Sequence, residues 1–77
     1  MEATEIETLI QEALPHATIY IDDLRGDGNH YAVRVEDFSF EGLELADQHR
    51  IVFAALQGRV GGLLRGMTLT TRVPIED

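Results

Sequence analysis

The stretch ATIYIDDLRGDGNHYAVRVE, residues 17–36, decides the architecture. Ala17, Ile19 and Ile21 alternate with Thr18, Tyr20 and Asp22. That period of two is the mark of a strand with one buried face. Arg25-Gly26-Asp27-Gly28-Asn29 is dense in turn formers and ends it. Tyr31, Val33 and Val35 then alternate with Ala32, Arg34 and Glu36, so a second strand follows. Two short strands joined by a glycine-rich loop predict an antiparallel hairpin.

Upstream, Thr4-Glu5-Ile6-Glu7 has the capping-box pattern, with Thr4 as N-cap and Glu7 reaching back. Ile6, Leu9, Ile10, Ala13 and Leu14 form one helical stripe, and Pro15 ends it. The spacing predicts a helix over residues 4–14. Downstream, Phe38 and Phe40 precede a bend at Gly42. Residues 44–57 return to a helical period. Leu45, Val52, Ala55 and Leu56 line one face, while Glu44, Asp47 and Arg50 face solvent. Gly58-Arg59-Val60-Gly61-Gly62 stops that helix. Met67 and Leu69 alternate with Thr68 and Thr70, a third strand running to Thr71, and Pro74 closes the domain.

The predicted order is α-β-β-α-β, an α+β fold in one domain over residues 1–77. The third strand pairs in parallel with a hairpin strand through a right-handed helical crossover. The three-stranded sheet is then mixed, with both helices on one face and the other face open to solvent or a partner.

A chain of 77 residues buries about 60% of its unfolded surface, enough for one modest core and little room for a deep substrate pocket. No cysteine is present, which excludes disulfides, cysteine-ligated zinc and a thiol nucleophile. The N-terminus shows neither basic nor apolar leader character. No apolar run approaches the roughly 20 residues of a membrane span. These features predict a cytoplasmic protein with no membrane partner. The net charge is −8, with fourteen acids against six arginines. Such a balance keeps a small domain soluble and opposes nucleic-acid binding, which needs a basic face.

Four places could carry chemistry. His30, beside the hairpin loop, can ligate a metal, although a lone turn histidine is more often a solvated polar residue. The Gly26-Asp27-Gly28 run is no phosphate loop, because no helix N-terminus follows it. His49-Arg50 on the second helix can meet phosphate or a partner carboxylate, against the plainer reading of a helical surface with His49 partly packed. Gly58-Arg59-Val60-Gly61 matches the GxxG of nucleic-acid-binding KH domains, but it lies between a helix and a strand rather than two helices. Thr68, Thr70 and Thr71 suit an exposed strand, and they can also mark an edge that accepts another chain. No paired carboxylates, Ser/His/Asp set or metal-ligand cluster stands out, and His16 and His30 without cysteine are a weak metal signal. The chain reads as a binding protein, not an enzyme.

Phe40-Glu41-Gly42, followed by Gln48-His49-Arg50-Ile51-Val52-Phe53-Ala54-Ala55-Leu56, resembles the BolA family: Phe-x-Gly, a His-Arg pair, then an apolar helical tail. Gly26-Asp27-Gly28-Asn29-His30-Tyr31 is similar to the family's loop and following strand. Arg65-Gly66-Met67-Thr68-Leu69-Thr70-Thr71 stands where the family opens its last strand with His-Ala-Leu or His-Gly-Leu. The resemblance spans nearly the whole chain and implies a class II KH-like fold.

It also implies an adaptor that partners a monothiol glutaredoxin in iron–sulfur cluster handling or iron homeostasis. His49, Arg50, Arg65, Gly66 and Met67 then form the partner-binding set. Some family members are DNA-binding transcriptional regulators, the alternative function. The chain departs from the family at its ligands. The histidine that ligates a shared [2Fe–2S] cluster is replaced by Arg65, and the loop ligand by Asp27, with His30 three residues on as a substitute. A guanidinium stays protonated and offers no lone pair to iron. The resemblance therefore implies glutaredoxin docking with altered cluster ligation. Leu43, Glu44, Leu45 and Gln48 stand where DNA-binding members carry basic residues, which leaves Arg50, Arg59 and Arg65 as a small patch.

Overall fold

The computed structural model describes residues 2–26, 30–56 and 67–75. The elements are helix α1 (Ala3–Ala13), strands β1 (Thr18–Asp23) and β2 (Tyr31–Glu36), a 3-10 turn at Phe38–Phe40, helix α2 (Leu45–Ala55) and strand β3 (Met67–Arg72). The sheet runs β1-β2-β3 with β2 in the centre. β1 pairs antiparallel with β2, and β2 pairs parallel with β3. This is the predicted α-β-β-α-β order with a mixed three-stranded sheet.

The register sorts the strands into two faces. Ile21, Val33 and Leu69 stand abreast, as do Ile19, Val35 and Thr71, and Asp23, Tyr31 and Met67. Apart from Asp23 at the strand end, this face meets the helices. Its Tyr31, Val33 and Val35 are buried with Ile6, Leu9 and Ile10 of α1, with Phe40, and with Val52 and Leu56. The central strand is the most buried because neighbours cover it on both sides. The opposite face carries Thr18, Glu36 and Arg72, then Tyr20, Arg34 and Thr70, then Asp22, Ala32 and Thr68.

Helix α1 departs from the expected start. Its N-cap is Glu2, with no side-chain capping bond, so the Thr4 capping box does not form. Thr4 is already helical, and its carbonyl accepts the Thr8 hydroxyl at 2.8 Å. At the other end Gln11 Nε2 lies within hydrogen-bond reach of the carbonyls of Leu14, Pro15 and Ala17, tying the helix to the turn that leads into β1.

The Phe38–Phe40 turn is capped by Asp37, whose Oδ1 accepts the Ser39 amide at 2.8 Å. Gly42 follows at φ +79°, a conformation that favours glycine. Leu45 corrects the sequence reading, being 58% exposed rather than part of the core. It has the right helical phase but the wrong height. Seven residues before Val52, it lies about 10 Å further along the helix. Gln48 already marks the edge of the sheet there, with Oε1 accepting the Thr71 hydroxyl at 2.7 Å and Nε2 donating to Leu43 O. The expected end of the helix at Gln57 and the glycine stop that follows lie outside the described residues.

On the open face Glu36 is buried between two arginines. Its Oε2 accepts Arg72 Nε at 2.7 Å and lies 3.3 Å from Arg34 Nε. The Arg34 guanidinium stacks over the Tyr20 ring at 4.1 Å. Glu36→Gln is expected to lower stability by about 1–2 kcal/mol, the worth of a charge-assisted bond reduced because both arginines are part-exposed. Urea denaturation checks this, and an unchanged midpoint would make the network ornamental.

Candidate functional site

The hairpin end of the sheet holds two of the residues singled out in the sequence, His30 and Met67. β1 ends at Asp23, opposite Tyr31, and Tyr31 in turn stands beside Met67. The start of β2, the start of β3 and the hairpin loop therefore share one end. The loop is closed by Leu24 N donating to His30 O at 2.7 Å. Gly26 turns at φ +68° and donates its amide to Asp23 Oδ1 at 2.9 Å. Both fit the local sequence, since an Asx turn followed by a left-handed glycine reverses a chain tightly.

His30 is half-buried next to Tyr31, one residue before the level at which β3 begins. Met67 is half-buried and packs against the core from the sheet's edge strand. Arg65, Gly66 and Asp27 lie outside the described residues, as does the Gly58–Gly61 loop.

His49 and Arg50 belong to the other end. Their neighbour Gln48 is bonded to Thr71, four residues and about 13 Å up β3 from Met67. The His49 ring meets Phe53 edge-on at 6.3 Å, and its Nε2 is buried without a hydrogen-bond partner. Arg50 points to solvent and pairs with Asp47 at 3.1 Å. His49 is thus a packing side chain beside an exposed helical ion pair. The fold does not bring this pair to Met67.

Thr68 and Thr70 are exposed on the open face as expected, but Thr71 is buried, 6% exposed. It alternates to the helix side, and Gln48 satisfies its hydroxyl there. A shallow groove of about 420 Å³ crosses the open face between Tyr20, Asp22, Arg34 and the two exposed threonines.

Among the described residues, no three His, Cys, Asp or Glu side chains are gathered to hold a metal ion. Iron–sulfur clusters take thiolate or imidazole ligands. His30 is the one imidazole at the hairpin end, because His16 precedes β1 and His49 lies on α2. None of the described helices is long and apolar enough to cross a membrane.

No protein-family model matches the sequence. The chain is 35% identical over 71 residues to the uncharacterised protein RP812 of Rickettsia prowazekii, covering 92% of each. The NMR structure of RP812, described as BolA-like, matches with a TM-score of 0.75 at 33% identity over 97% of each chain. BolA1 from Arabidopsis thaliana matches with a TM-score of 0.79 at 25% identity, over 97% of this chain and 94% of that one. Human BolA-like protein 1 is 35% identical over 51 residues, which is 66% of this chain and 37% of the human protein.

Proposed function

Because the chain belongs to the BolA-like family, we propose that it is a non-catalytic adaptor that docks a monothiol glutaredoxin through the hairpin end of its sheet. It does so without contributing the two cluster ligands expected of the family. One observation carries the reading. The parallel register sets Tyr31 beside Met67, so the starts of β2 and β3 share one end of the sheet. Positions 27 and 65, which flank those strand starts in sequence, are where the resemblance implies the cluster ligands. Arg65 then offers a partner a fixed positive charge rather than a metal ligand.

The DNA-binding alternative has less behind it. Arg50 is engaged by Asp47, and Arg34 and Arg72 share Glu36, so these three arginines present one net positive charge to phosphate rather than a basic patch. With a net charge of −8, duplex DNA is repelled over most approaches.

Titrating isotope-labelled protein with a monothiol glutaredoxin tests the proposal. Amide shifts are expected at His30, Tyr31 and Met67, with the first turn of α2 unmoved. If no resonance shifts at any ratio, the docking reading is wrong.

A further inference from the structure

The end of the molecule remote from the hairpin exposes an unusual amount of apolar side chain. Within the eight residues Phe38–Leu45, Phe38 is 55% exposed, Leu43 37% and Leu45 58%, while Phe40 alone turns inward. They are held by backbone structure rather than left loose. Glu41 N donates to Phe38 O and Leu43 N to Phe40 O, and Gln48 Nε2 clamps Leu43 O at 3.0 Å. Leu45 continues the apolar stripe of α2 past the last residue the core can cover. Large apolar side chains presented together on an ordered surface mark a contact site.

The charges around these side chains say what covers them. Glu41 and Glu44 are exposed between the three apolar residues, and neither forms an ion pair among the described residues. Asp47 follows one turn into α2, already paired with Arg50. An apolar strip with unpaired acids is complementary to a helix carrying lysine or arginine beside an apolar stripe. A second copy of this chain would set acid against acid at a net charge of −8 on each. An anionic lipid surface would be repelled for the same reason.

We infer that Phe38, Leu43 and Leu45, flanked by Glu41 and Glu44, form a docking site for a basic amphipathic helix of a partner protein. This site is independent of the glutaredoxin reading. β2 separates the two ends by roughly 17 Å, so one molecule can engage a partner at each.

The test uses an 18-residue leucine–lysine amphipathic peptide, its leucine–glutamate counterpart, and phosphatidylglycerol vesicles. The lysine peptide is expected to shift amides of residues 38–47, and the glutamate peptide and vesicles to leave them unmoved. The double variant Phe38→Ser/Leu45→Ser removes exposed side chains only, so its fold is retained, which its amide spectrum verifies. It is expected to weaken peptide binding by at least about tenfold. Glu41→Gln/Glu44→Gln should weaken it severalfold and flatten its salt dependence. Unchanged binding by the serine variant, or shifts spread over the acidic surface of α1, would assign the attraction to bulk charge and overturn the proposal. Binding to the vesicles, or equal binding of the glutamate peptide, would overturn it as well.

Discussion

Phe40→Ala is expected to lower the unfolding free energy by about 3–5 kcal/mol, as buried Phe-to-Ala replacements do. Phe40 is 1% exposed and sits where the turn after β2 meets α1, α2 and the sheet. A chain of 77 residues has a total stability of only about 4–12 kcal/mol at typical values per residue. The variant therefore loses a large share of its stability and is part-unfolded at 37 °C if the total is at the low end. Urea titration should show a lower midpoint with an unchanged slope. Phe38→Ala, two residues away and exposed, is the control and should move stability by no more than about 0.5 kcal/mol. Equal losses in the two variants would mean that burial of Phe40 contributes no more than exposed Phe38.

Arg65→His is expected to change the colour of the glutaredoxin complex. Without the variant, the heterocomplex isolated by size exclusion after co-expression should lack the visible charge-transfer absorbance of a [2Fe–2S] cluster. The variant restores an imidazole two residues before Met67 in sequence, the position where the family resemblance implies a ligand. Visible absorbance should then co-elute with the heterocomplex. A native heterocomplex as strongly coloured as the variant's would show that Arg65 does not impair ligation, and the altered-ligation reading would be abandoned.

The strands were legible because their alternation is local. Ile19 and Ile21, Val33 and Val35, and Met67 and Leu69 declare their buried side without reference to anything distant. The limits of the helices were not. Thr4 has the chemistry of a cap, yet Glu2 and Ala3 begin the helix before it. Leu45 shows why phase is not burial. Helical spacing tells which way a side chain points, not whether anything stands opposite it. The Glu36 cluster and the Gln48–Thr71 bond join residues 36 and 23 positions apart, and no window of sequence displays such pairs. Of the candidate site, the loop and the chain entering β3 were legible as separate motifs. That the starts of β2 and β3 share one end follows from the register, and the separation of His49 and Arg50 from Met67 from the Gln48–Thr71 bond. The arginine at position 65 carries meaning only beside the family pattern.

The parallel pairing of β2 with β3 also sets an order of events in folding. The hairpin closes over a short loop, whereas Glu36 and Arg72 can meet only after the intervening chain, α2 included, has doubled back. Closing that longer loop costs more chain entropy, and contacts so distant in sequence form late. The pairing of β3 with β2 is therefore the last part of the sheet to be completed. A nascent or partly unfolded chain would hold its hairpin but leave one edge of β2 unpaired, so the proposed docking would favour molecules whose third strand has already locked.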